Sequence, residues 1–210
     1  YFQKALKEIA PKLETTSPLH TILCYHFGRV IARFIFLESK LRELFGRTRP
    51  VRVEAAFQIN IDDFTIVGKI DRIEETEGGG ILILDYKTGT IDFCPDHITQ
   101  GTHFQALLYL FGAETFSHSC IGMLFYDLKK GELRRGILKE ECVSLETKRA
   151  ITRGHVLSQG KFTAICDAGK TRLQKIALAI NAGDFTPSPD PQACRYCDYA
   201  PLCRKGHGRA

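Results

Sequence analysis

Residues 81–90 read ILILDYKTGT: four consecutive aliphatic residues, then Asp85, Tyr86 and Lys87, then a turn built around Gly89. A short aliphatic run bounded by Gly78-Gly79-Gly80 on one side and Gly89 on the other is the pattern of a buried strand. Residues two apart in a strand point the same way, so Asp85 and Lys87 share one face while Leu84 and Tyr86 take the other. A buried strand that ends by presenting a carboxylate and an ammonium side by side needs a reason. A surface ion pair is the bland one, and such pairs contribute little.

The preceding runs sharpen the question. VRVEAAFQINI (51–61) and FTIVGKIDRIEE (64–75) are strand-like, separated from each other by Asp62-Asp63 and from the third run by the glycines at 78–80. Short turns predict an antiparallel meander. Pairing about the glycine turn brings Asp71 beside Asp85, and Glu54 lies one strand further back. Three clustered carboxylates repel one another unless a cation neutralises them, and hard oxygen donors select Mg²⁺ or Mn²⁺. A lysine at such a site can orient or help deprotonate an attacking water and stabilise charge developing on a phosphate oxygen.

Outside this meander, apolar spacing of three and four predicts one or two helices from Lys4 to Phe45, stopping at Gly46, and helical structure through HITQGTHFQALLYLFGAE (97–114). SCIGMLFYDLKKGELRRGIL (119–138) reads as a strand pair turning at Lys129-Lys130-Gly131. Two further helices are expected over Val143–Gln159 and Ala168–Ala182. The order gives an α/β protein, a mixed central sheet flanked by helices. We divide it into an N-terminal helical segment (1–50), a core (51–185) and a cysteine-rich tail (186–210).

With 210 residues and 25% charged residues, the chain has the size and composition of a single catalytic or binding domain. The net charge of +5 is compatible with a polyanionic partner. No apolar stretch is long enough to span a membrane, and no signal peptide opens the chain, so a cytoplasmic location is expected. Tyr1-Phe2-Gln3 matches the end of a common protease-tag site, so the natural protein is expected to begin elsewhere. Three of the eight cysteines, Cys194, Cys197 and Cys203, crowd into CRYCDYAPLCRKGH. In a reducing compartment that crowding points to metal ligation rather than disulfides. Zinc with His207 as the fourth ligand is one local solution. Cys94, Cys120, Cys142 and Cys166 are expected to be buried small hydrophobes.

GKIDRI followed by ILILDYKTG resembles the PD-(D/E)xK nuclease superfamily, in particular the branch typified by the nuclease domains of the AddB and RecB helicase-nucleases. In that branch a glutamate precedes a G-x-x-D-R strand, a D-x-K strand follows, and a helix carrying Q-x-x-x-Y comes next. Glu54, Gly68 to Arg72, Asp85 to Lys87, and Gln105 with Tyr109 occur here in that order. The resemblance implies a restriction-endonuclease-like core. It makes Asp71, Asp85 and the Tyr86 carbonyl metal ligands, Lys87 the catalytic lysine, Glu54 a further acidic contributor, and Gln105 and Tyr109 residues lining the active site. It further implies that Cys194, Cys197 and Cys203 hold a 4Fe-4S cluster with an upstream cysteine, for which Cys24 is the candidate. His20 and His26 are candidates for a histidine that the family carries upstream.

The expected function is a metal-dependent DNA exonuclease acting on single strands or duplex ends beside a helicase, in repair or recombination. Two rivals are a nuclease-like domain that grips DNA without cutting it and a zinc-bearing nucleic-acid adaptor.

Overall fold

The computed structural model describes residues 18–101, 103–116, 119–186, 194, 197–199 and 202–203. The expected helical positions before Pro18, and His207, lie outside the described residues. The elements are α1 (Pro18–Phe45), β1 (Thr48–Ile61), β2 (Phe64–Thr76), β3 (Ile81–Lys87), α2 (Asp96–Gln100), α3 (Phe104–Glu114), β4 (Cys120–Asp127), β5 (Gly136–Lys139), α4 (Leu145–Ala150), β6 (Val156–Leu157) and α5 (Gln159–Asn181).

Among the described residues, six strands form one mixed sheet in sequence order, β1 to β6. β1, β2 and β3 make the antiparallel meander expected from the short turns. The chain then crosses over through α2 and α3, so β4 lies parallel to β3, as a helical crossover permits. β4 is buried along its whole length and β3 through Asp85. That is why both read as near-continuous apolar runs.

Helices cover both faces. Ile81 and Ile83 join Phe57, Leu107 and Leu173 in the core under α3 and α5, while Leu82 and Leu84 pack with Leu37 and Leu41 of α1 on the other side. Alternate residues of β3 therefore go to opposite cores, as the period-two pattern requires. The Thr147 hydroxyl of α4 donates to the Leu44 carbonyl at 2.6 Å, tying α4 to the end of α1. Only Leu37 and Leu41 of α1 are fully buried. Its N-terminal half leaves Leu19, Ile22 and Tyr25 largely exposed.

One close approach fixes how α3 sits on the sheet. Phe57 of β1 pairs across from Gly68 of β2, and its ring fills the space a side chain on Gly68 would need. A Cβ there would stand 2.4 Å from the ring, and one on Gly112 of α3 would stand 2.5 Å from it. The same ring meets Tyr109 edge-on, with centroids 6.1 Å apart.

Four expectations change. The helical stretch over 97–114 is two helices, broken at Gly101, whose φ of 83° closes α2 with its N–H bonded to Ile98. The helix expected over Val143–Gln159 shrinks to α4. Thr152 N–H bonds to Arg134, Gly154 has φ of 86°, and Val156-Leu157 pairs parallel with β5 as a sixth strand. The last helix starts at Gln159, well before Ala168. Cys120 is buried, but Cys142 is exposed, because it ends a short 3-10 turn between β5 and α4.

Candidate active site

The β2–β3 register pairs Arg72 with Leu84, and one step further it sets Asp71 across from Asp85. Tyr86 N–H donates to Asp71 Oδ2 at 3.0 Å, which anchors that carboxylate on the neighbouring strand. Asp85 is only 2% exposed. Its Oδ1 accepts from Gln105 Nε2 at 2.9 Å. Its Oδ2 lies 2.8 Å from Lys87 Nζ as an ion pair, yet this buried oxygen receives no hydrogen bond of good alignment. Burial pushes the Asp85 carboxyl above the ordinary range; Lys87 opposes that shift, and the neighbouring Asp71 charge adds to it.

α3 brings the next two groups. Gln105 and Tyr109 lie one turn apart on the face turned to the sheet. Lys87 Nζ donates to Gln105 Oε1 at 2.8 Å, and Gln105 Nε2 also reaches the Tyr109 hydroxyl at 2.9 Å. Asp85, Lys87, Gln105 and Tyr109 thus form one connected network in which the amide supplies both donor and acceptor. Lys87 Nζ stands 5.6 Å from the Phe125 ring centroid. Beside it opens a cavity of about 240 Å³, lined by Thr90, Ile91, Phe93, His103 and Gln105 among others. Burial lowers the His103 pKa, and the nearby His97 lowers it further.

The opposite face of the same strands carries a buried polar cluster that sequence reasoning did not single out. Arg72, next to Asp71, donates to both oxygens of Glu38 on α1, at 2.7 and 3.0 Å. It also donates to the fully buried Glu74 and, at 3.1 Å, to the Tyr86 hydroxyl. Tyr126 of β4, paired with Tyr86, donates its own hydroxyl to Glu38 at 2.9 Å. The arginine of the D-R motif was the available signal; its acidic partner on α1 is 34 residues away in sequence and follows no spacing rule.

Two carboxylates on neighbouring strands, Asp71 and the buried Asp85, are hard oxygen donors of the kind that suits Mg²⁺ or Mn²⁺. Glu54 lies on β1 between the residues paired with Arg72 and Ile70. Its carboxylate is engaged by Lys69 at 3.1 Å and is largely exposed, and its φ is 50°. Among the described residues, no three His, Cys, Asp or Glu side chains are grouped so as to hold a metal ion. This includes the described Cys24, Cys194, Cys197 and Cys203. Cys24 instead sits 3.6 Å from His20 Nε2 within α1, and His26 packs edge-on against Phe27.

Residues 1–204 match the PD-(D/E)XK nuclease superfamily. The chain belongs to this superfamily. Among curated relatives, an ATP-dependent helicase/deoxyribonuclease subunit of Carboxydothermus hydrogenoformans is 27% identical over an alignment covering 70% of this chain and 18% of the relative. The protein of the same name from Desulforamulus reducens is 22% identical, covering 95% of this chain and 23% of the relative. The chain therefore spans less than a quarter of the length of these relatives. The crystal structure of SSO0001 aligns with 90% of this chain and 76% of its own, at 14% identity and a TM-score of 0.31, too low to bear on the fold.

In this PD-(D/E)XK domain, the meander presents Asp71, Asp85 and Lys87 at one end of the sheet, and α3 closes over them. No described helix is long and apolar enough to cross a membrane.

Proposed function

We propose that this domain is a metal-dependent deoxyribonuclease, an exonuclease working on single strands or duplex ends as part of a helicase-nuclease system. The observation that carries the reading is the Lys87 ammonium, held by Gln105 and by the buried Asp85 carboxylate, with Asp71 anchored on the neighbouring strand. Asp71 and Asp85 would hold Mg²⁺ or Mn²⁺, with the Tyr86 carbonyl as a further ligand and Glu54 as an outer acidic contributor. The ion would polarise the scissile phosphate and lower the pKa of a bound water. Lys87 orients the attacking water and stabilises charge on the phosphate oxygen. Gln105 fixes the lysine, and Tyr109 fixes Gln105.

Lysines and arginines supply phosphate contacts, so binding should be salt-sensitive and indifferent to sequence. The names of the relatives support a helicase partner and DNA as substrate. The tail's C-x2-C-x5-C spacing supports a 4Fe-4S cluster completed by Cys24, with zinc and His207 as the alternative. The cluster is what the resemblance to the AddB and RecB branch implies for this spacing; the spacing by itself admits either metal.

Lys87→Ala tests the assignment. The variant should lose most cleavage of labelled DNA in Mg²⁺ while keeping its affinity for DNA; equal cleavage by both proteins removes the lysine from the mechanism. A domain that grips DNA without cutting it is the second reading, favoured by the engagement of Glu54 with Lys69. Under that reading the unmodified protein binds DNA and releases no nucleotides.

A further inference from the structure

Behind the candidate site, three strands contribute one side chain each to a cluster built around a single carboxylate. Arg72 of β2 grips both oxygens of Glu38, Tyr126 of β4 donates to one of them, and Tyr86 of β3 is joined to the group through Arg72. Each of these three residues is the immediate neighbour of a front-face group. Arg72 follows Asp71, Tyr86 lies between Asp85 and Lys87, and Tyr126 follows Phe125, which pairs with Asp85 and lies under the Lys87 ammonium. Tyr86 is tied in twice more, since its N–H anchors Asp71 while its ring packs on Tyr126 and on Phe34 of α1.

A strand is stiff across its pleat, so fixing the back-face side chain fixes where its neighbours point. The Arg72 guanidinium, as a planar fork, transmits that constraint with little freedom, and two-point contact to a carboxylate sets its plane.

We infer that Glu38 is a positioning residue for the metal-binding carboxylates, locking the lateral spacing of β2, β3 and β4 through Arg72, Tyr86 and Tyr126. The inference rests on the proposed metal site and goes beyond it in naming what holds the site's geometry. It also gives α1 a role other than covering the core. Glu38 lies one residue after the buried Leu37, where α1 meets the sheet, so the helix reaches the chemistry through one side chain.

Residues that hold ligands in place change metal affinity or activity by roughly 10–100-fold when substituted. Glu38→Gln keeps the shape and removes one of the two charges that grip Arg72, leaving that of Glu74. Mn²⁺ binding followed by electron paramagnetic resonance, without DNA, should weaken by about tenfold or more in this variant. Turnover should fall by a similar factor with KM for DNA little changed. Circular dichroism should show the same folded fraction. Should Glu38→Gln fail to fold, Tyr126→Phe removes a single hydrogen bond to the same carboxylate and is read in the same way. Unchanged Mn²⁺ affinity in the folded variant overturns the inference, as does a loss matching only the unfolded fraction. A parent protein that binds Mn²⁺ but cuts no DNA would sink the nuclease reading while leaving the Glu38 comparison decided by its own readout.

Discussion

Gln105 Oε1 accepts a hydrogen bond from Lys87 Nζ at 2.8 Å, so a helix side chain holds the cation of the motif strand. The same amide's nitrogen binds Asp85 and Tyr109. An amide can do this because it carries donor and acceptor on one planar group. Gln105→Glu would replace the donor by a charge facing Asp85. It should lower cleavage more than Gln105→Ala, which leaves roughly 1–10% of activity by the usual cost of losing an orienting contact. Single-turnover assays in Mg²⁺ would order the two; equal rates for Gln105→Glu and the parent would exclude the amide's dual role.

Burial raises the Asp85 carboxyl above the ordinary aspartate value of about 3.9. Protons therefore compete with a divalent cation at higher pH than at an exposed aspartate. Mn²⁺ affinity should fall as pH drops, with a midpoint above that ordinary value, measurable by calorimetric titration across pH 4 to pH 7. In the metal-free protein the same shift acts on stability in the opposite sense. The carboxyl's contribution favours the fold below the ordinary value and is lost as pH rises through the folded value.

Asp85→Asn follows from the same physics. Ionised Asp85 is disfavoured where it sits, so neutralising it should leave the metal-free melting temperature unchanged or higher, while metal binding and cleavage are lost. A large drop in melting temperature would mean the ion pair with Lys87 outweighs the cost of burial.

Gly112 offers a test in which two effects have opposite signs. Glycine to alanine within a helix usually gains close to 1 kcal/mol. Here the new methyl would meet the Phe57 ring at 2.5 Å, and overpacking of this kind costs about 1–3 kcal/mol. Gly112→Ala should therefore be destabilising in urea denaturation, and cleavage should fall with it, because Phe57 also supports Tyr109. A stabilised variant would show the ring to be free to move.

The cysteine tail can be decided by composition. Protein purified without oxygen and assayed for iron and zinc should hold close to four iron atoms per chain if the cluster expectation is right, as a 4Fe-4S cluster requires. One zinc instead would shift the assignment to His207, and neither metal would leave Cys194, Cys197 and Cys203 without a ligand role.

Much of the site could be read from local rules. The period-two pattern placed Asp85 and Lys87 on one face, the glycine turn set Asp71 opposite Asp85, and one-turn spacing aligned Gln105 with Tyr109. What escaped was structure that no short window contains. Glu38 reads as an ordinary helix-surface glutamate until folding carries it to Arg72. Val156-Leu157 is too short to show any period, and its pairing with β5 depends on a turn made by Gly154. The break in 97–114 hides in a helical pattern because Gly101 interrupts it without disturbing the spacing of its apolar residues. Glu54 kept its place along the strand, but its carboxylate is taken by a neighbouring lysine that the motif does not include.

The alternation of β2, β3 and β4 between a front that carries the candidate site and a buttressed back has a consequence for mutational scanning. Along each of these strands, tolerance measured as cellular abundance and tolerance measured as catalysis should go out of phase, residue by residue. Asp71, Asp85 and Lys87 would be dispensable for abundance and essential for catalysis, whereas Arg72 and Tyr86 would first register as lost protein.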